Sequence, residues 1–317
     1  MKRLNDDLKF QSKNWNRGKC RSVVYALLCC VVLCSCQANN KQIADGMNKK
    51  TVQEKQADNK NVDAKDIPSI SSDRLIIEGD ELVGIKDIYK TEEILVIPKK
   101  ITRISKNALK YDGDNPKQTK ELHVNIPANV ELKEENFRGT GKLDITFEEG
   151  RKVIQKGVFK HASDAVKVKL PMSCEKLEDE AFCEGTGLIV LNEGLTYVGK
   201  RALASTKCDL PDSIEILEDE ALYLWHPAAL NRWKVDSTEY TLIEIHLPDS
   251  LKKMGKNCLL IDTDIVPRNN IFIPAGVESI GKNAITYVNE KQNPADVTVS
   301  KQNKWYYADS KCHLRRK

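Results

Sequence analysis

No stretch of this 317-residue sequence is long and apolar enough to cross a bilayer as a helix. The apolar run Val23 to Cys34 (VVYALLCCVVLC) has twelve residues, and a span takes about 20. Beyond the first 35 residues there is no P-loop, G-x-G-x-x-G, H-E-x-x-H, C-x-x-C or G-x-S-x-G pattern, so no residue is put forward as catalytic, and no cofactor is expected. An excess of one charge sign is missing too. The formal +4 comes from residues 1–22, which hold seven basic residues against Asp6 and Asp7; without residues 1–35 the balance is 43 basic to 44 acidic. A nucleic-acid partner is therefore not expected. At 40% hydrophobic residues, the chain still has enough apolar side chains for a core, which excludes disorder throughout.

What is present at the start is an address. A basic segment, a short apolar run and a small residue describe a secretory signal peptide over residues 1–35. A buried core helix fits poorly, because polar sequence follows at once. Leu33-Cys34-Ser35-Cys36 resembles the bacterial lipobox. That resemblance implies cleavage between Ser35 and Cys36 and diacylglycerol on the Cys36 thiol. The protein would then be exported and membrane-anchored through that lipid, in the periplasm or at the cell surface. Each buried methylene contributes about 0.8 kcal/mol, so two or three acyl chains hold where one does not. The alternative is a cysteine-rich apolar run cut by ordinary signal peptidase, and a later translation start stays open. Residues 36–72 are rich in Asn, Gln, Lys and Asp, with no aromatic residue. They read as the lipidated terminus and a disordered tether.

From residue 73 onward one pattern recurs: apolar-x-apolar, proline, two residues, apolar, two residues, apolar, three residues, then Ala and a large apolar residue. The clearest copies span 95–109, 168–182, 208–222, 245–259 and 271–285. Two more, 145–159 and 189–203, carry Glu148 and Asn192 in place of proline, and 124–137 is one residue shorter. With the proline place as origin, the units begin at 98, 127, 148, 171, 192, 211, 248 and 274, at intervals of 29, 21, 23, 21, 19, 37 and 26. Alternation before the proline has the period of a strand with one buried face, and proline ends the ladder. Eight such units predict a repeat solenoid: a leucine-rich-repeat-like stack of short β-strands with turns and short helical segments. The predicted domain runs over residues 73–317.

Ile273-Pro274-Ala275-Gly276-Val277-Glu278-Ser279-Ile280-Gly281-Lys282-Asn283-Ala284-Ile285 closely resembles the hallmark I-P-x-x-V-x-x-I-G-x-x-A-F of the BspA-like leucine-rich-repeat surface proteins of bacteria. The resemblance implies an opening hairpin over 75–98, a closing strand with a Tyr-Tyr cap over 297–314, and a role in adhesion. Missing prolines and Leu or Ile in place of Phe mark a short, divergent array.

Few residues suggest chemistry. Glu178-Asp179-Glu180 and Glu218-Asp219-Glu220 hold the same place in two units. Elsewhere that place carries Lys and Asn, so solvated surface or the acidic start of a short helical turn is expected. The five histidines, His123, His161, His226, His246 and His313, show no ligand spacing and read as surface residues, His123 just ahead of a strand; no metal is expected. Asp112-Gly113-Asp114-Asn115 and Asp262-Thr263-Asp264 read as turns. Cys174, Cys183, Cys208, Cys258 and Cys312 are odd in number, which favours free, mostly buried thiols, although Cys183 approaching Cys208 stays open.

The 37-residue interval holds Trp225, His226, Trp233 and Tyr240. Insertions in repeat proteins often lie on the binding side, and Trp and Tyr are rich in binding hot spots, so these four are the candidate ligand-binding residues. The competing reading has the rings plugging a gap in the core. Together these features predict a non-enzymatic, lipid-anchored envelope protein presenting a repeat surface to a protein or glycan. The alternatives are a carbohydrate-processing accessory or hydrolase lipoprotein with a site on the inserted loops, and a purely structural envelope protein.

Overall fold

The structure is a computed structural model and describes residues 67–185, 187–225, 243–261, 269–287, 296–309 and 313–317. Every described residue belongs to one compact unit within 62–317. The expected leader, Cys36 and nearly all of the tether lie outside the described residues, as do His226, Trp233, Tyr240, Asp262-Thr263-Asp264 and Cys312. Among the described residues no helix is long and apolar enough to cross a membrane.

The described unit is a β-solenoid of eight turns. Its strands build three parallel ladders, because each stretch of the repeat meets its counterpart one unit away. The residues ahead of the proline place build the first sheet. Glu93–Leu95, Leu122–Ile126, Leu143–Phe147, Val166–Lys169 and Leu188–Val190 pair in parallel and in sequence order. Alternate residues point inward, so Leu122, Val124 and Ile126 are buried while His123 and Asn125 face out. Proline ends this ladder by lacking a donor. Glu148, in proline's place, keeps its N–H and donates to Ile126 O at 3.0 Å.

Five and six residues beyond the proline place, two-residue strands form a second, six-stranded parallel sheet running from Val153–Ile154 to Ser279–Ile280. Its inward residues, Ile154, Leu177, Val198, Leu217 and Met254, are essentially fully buried. Each such side chain contributes about 1.5–3 kcal/mol, and only stacking supplies a partner surface.

The third ladder follows the Ala–large apolar pair. Phe159 N donates to Ala181 O, Phe182 N to Ala202 O, Leu203 N to Ala221 O and Leu222 N to Cys258 O, at 2.8–3.1 Å. Phe137, Phe159 and Phe182 stack face to face, with centroids 4.5 and 4.8 Å apart. Among the described residues helix plays no part in the repeat. The described residues hold only two 3-10 turns, Ser72–Arg74 and Pro116–Gln118, both outside the repeating pattern. The expected short helical segments are instead turns with left-handed residues ahead of the alanine place: Glu180, Arg201, Glu220, Asn257 and Asn283 have φ between 48° and 57°.

Both ends are closed. Leu75–Glu78 and Glu81–Ile85 form an antiparallel hairpin, and its second strand runs parallel to Arg103–Ile104. At the far end Asp296–Val299 adds a last strand to the first-sheet line, and the Tyr306 hydroxyl accepts from Ile280 N at 3.0 Å where another rung would bond. Such closure covers sheet edges that would otherwise pair with other chains.

The first sheet is interrupted once. Leu188 makes a lone bridge to Lys207, and the strands resume as a separate three-stranded sheet, Ile243–His246, Asn269–Ile273 and Asp296–Val299. The second sheet runs through the same level unbroken, pairing Ile216–Leu217 with Lys253–Met254. The break therefore falls at the unit from which the 37-residue interval begins.

Candidate functional site

The outer face of the five-stranded sheet is where the repeat places side chains without using them for folding. Strand register fixes two rows across it. Ile94, His123, Asp144, Lys167 and Leu188 form the first, each the direct partner of the next. Asn125, Thr146, Lys169 and Val190 form the second in the same way.

Charge changes along this face. Near its start the His123 ring lies between carboxylates: Nε2 is 3.3 Å from Glu92 Oε1 and 4.0 Å from Glu121 Oε2, and Nδ1 is 3.3 Å from Asp144 Oδ2. Lys167 follows, holding Glu121 Oε1 at 2.8 Å, which raises the lysine pKa. Lys169 forms no ion pair among the described residues. The last strand presents Leu188 and Val190, 52% and 44% exposed. Within a few strands the surface passes from acid and imidazole through lysine to aliphatic.

His123 is thus the second residue of Leu122–Ile126 and not a residue ahead of it. Its three acidic neighbours lie two, 21 and 31 positions away in sequence, and only strand register brings them together. The signal that could have exposed them is the alternation itself: once inward residues are assigned, His123, Asp144 and Lys167 share one outward row.

Of the four residues expected to bind a ligand, Trp225 is described, and it is buried at 5% exposure. Its indole N–H donates to Cys208 O at 3.1 Å. That ring fills the stack at the break in the first sheet and presents no open face. Of the other three, nothing structural is described.

The acidic clusters join neighbouring units. Asp179 Oδ1 accepts from Lys200 N at 2.9 Å and Asp219 Oδ1 from Lys256 N at 2.6 Å, each capping a donor in the next unit. Glu180 binds Lys160 at 2.7 Å and Glu220 binds Arg201 at 3.0 Å. The Lys160 contact holds the Glu180 carboxyl below its ordinary value. These carboxylates hold the stack together. Cys174, Cys183, Cys208 and Cys258 are buried free thiols. Burial pushes Cys208 and Cys258 up to about 12, so neither is a nucleophile at neutral pH.

Residues 117–224 match the BspA type leucine rich repeat region in six copies. Over those residues the array is a BspA-type leucine-rich-repeat region. Each part of the BspA-type unit now has a physical role. Proline ends the first strand, the second of the two spaced apolar residues lies in the second sheet, and glycine permits contact between units. A Cβ on Gly255 would lie 2.3 Å from Asp219 N and 2.4 Å from Glu218 C. Alanine and the large residue form the third ladder. Among solved structures the chain is similar to the pneumococcal vaccine antigen PcpA, with 14% identity and a TM-score of 0.34, over 75% of this chain and 89% of that one. Nothing matches among curated proteins.

Proposed function

We propose that this BspA-type protein is exported, lipid-anchored through Cys36 and non-enzymatic, and that it binds a protein or glycan on the outer face of its first sheet. One observation carries the reading. The outward rows from Ile94 to Leu188 and from Asn125 to Val190 combine carboxylates, an imidazole, lysines and exposed aliphatic side chains on one rigid support. Such variety at short spacing suits recognition of a mixed polar and apolar surface, with the aliphatic pair as its desolvated centre. His226, Trp233 and Tyr240 are kept as further ligand contacts on the grounds of their residue type.

The test is binding of the intact chain to arrays of extracellular-matrix proteins, mucins and glycans, repeated with Leu188→Asp/Val190→Asp and Trp233→Ala. Binding that falls at least tenfold in the first variant supports the face. Binding that survives in the first and fails only in the second moves the site to the inserted segment. Membrane fractionation of Cys36→Ser tests the anchor, and a variant still retained by the membrane overturns it.

A further inference from the structure

We infer that Glu92, Glu121 and His123 form a divalent-cation site of the zinc or manganese class on the outer face of the first sheet. The three donor atoms lie within 4.8 Å of one another. Ligands around a tetrahedral ion with bonds of about 2.1 Å stand about 3.4 Å apart. His123 Nε2 is already 3.3 Å from Glu92 Oε1, and Glu121 Oε2, at 4.0 Å, closes the remainder by a small carboxylate rotation.

Two features distinguish this cluster from a chance group of surface acids. The first is that the imidazole is oriented from behind. Asp144 Oδ2 lies 3.3 Å from Nδ1, on the side away from Glu92 and Glu121, as in carboxylate–histidine–metal arrangements. When an ion sits between the two glutamates, Nε2 is its ligand and Asp144 is the acceptor for a proton on Nδ1. The second is that Glu121 is held without being used up. Lys167 takes Oε1 at 2.8 Å, so Oε2 remains for the ion. Glu92, Glu121, Asp144 and Lys167 around the ring carry a formal charge of −2, which matches a divalent cation. Register holds the group, since His123, Asp144 and Lys167 are direct partners on adjacent strands.

One imidazole and two carboxylates suit zinc or manganese better than a soft ion or the oxygen-only shell of calcium. Three protein donors on an open face leave coordination positions for water or for a carboxylate or hydroxyl of an incoming molecule. This inference does not rest on the proposed binding function, because the cation is measured with no partner present.

Titration of the intact chain with Zn2+ and with Mn2+, by calorimetry and by the manganese electron-spin signal, tests it. Manganese is included because it avoids thiolates. The expected result is one Mn2+ per chain, lost in His123→Gln and weakened about tenfold or more in Asp144→Asn, the usual effect of removing the carboxylate behind a ligand. His161→Gln, which alters another histidine beside carboxylates, should bind as wild type does. Circular dichroism checks that the variants remain folded. No saturable Mn2+ or Zn2+ binding up to millimolar concentration, or equal binding by wild type and a folded His123→Gln, overturns the assignment.

Discussion

The indole N–H of Trp225 donates to the carbonyl oxygen of Cys208 across 3.1 Å, with both residues buried. Cys208 belongs to the one unit whose first-sheet strand is missing, so a side chain meets the acceptor that a neighbouring strand would otherwise serve. Trp225→Phe keeps most of the ring and orphans the carbonyl, a change that destabilises by about 1–3 kcal/mol. Trp225→Ala adds a cavity, for a total of about 3–5 kcal/mol. Urea midpoints of the two variants check the ranking. A Phe variant as stable as wild type would show that the bond contributes nothing.

Four polar side chains in the described array follow one rule: each occupies a buried repeat position and reaches back to the unit before it. Asn136 donates to Ile104 O and Ser105 O, and Asn192 to Met172 O and Cys174 O. Arg151 donates to Pro127 O and Val130 O, and Asn303, at the same repeat position, to Pro274 O and Val277 O. Removing a buried donor of this kind costs about 1–3 kcal/mol for each acceptor left alone. Stability in a stack depends on neighbouring units, so position decides the form of the loss. Arg151→Ala, near the middle, should lower the midpoint of the whole transition. Asn303→Ala, near the end, should raise amide exchange in residues 296–309 while leaving residues 122–190 protected. Hydrogen exchange separates the two outcomes, and uniform loss of protection in the second variant would contradict this account.

Much of the stack was legible from residues alone, because the repeat's apolar skeleton is also its core. Ile104, Leu177 and Leu217 fall where the spacing puts them. Arg151 was not legible as a core residue: a guanidinium in an apolar place reads as a defect until its acceptors, 21 and 24 residues earlier, are in view. The acidic clusters misled for a related reason. Helical turns and left-handed turns both tolerate Glu-Asp-Glu, and only the stacked partner, Lys200 above Asp179 or Lys256 above Asp219, shows which is formed. The candidate face was hidden because outward residues follow no consensus and meet through strand register. Trp225 was read as a candidate ligand contact, and its burial follows instead the competing reading, in which the rings plug a gap in the core.

Gly255 separates close backbone contact from conformational freedom. Its φ is not in the left-handed region, so alanine is acceptable to its own backbone, yet the added Cβ would strike Asp219 N and Glu218 C at 2.3 and 2.4 Å. Backbone atoms cannot rotate away, so the two units must move apart. Gly255→Ala is expected to destabilise by about 1–3 kcal/mol, the range for overpacking. By contrast, a Cβ at Gly276 meets nothing closer than Leu251 O at 3.1 Å, and Gly276→Ala should be the milder change. Equal melting temperatures for the two variants would reject this account.

Acid should loosen the stack through the carboxylates that join its units. Glu135 is held below its ordinary value chiefly by its hydrogen bond to Lys106, Glu180 by that to Lys160, and Glu149 by the Met172 backbone N–H. Each folded-state pKa lies below the unfolded glutamate value of about 4.3, so the unfolded chain binds more protons in this range. Stability from these groups is therefore complete above that value and is lost as pH falls through the folded values. Thermal midpoints should stay level from neutral pH to about 5 and fall below about 4.3. Lys160→Met removes the main cause of the Glu180 shift and should flatten that fall while lowering the neutral midpoint. A variant whose acid limb overlays wild type would mean that the Lys160–Glu180 pair, although 2.7 Å long, does not couple protonation to folding.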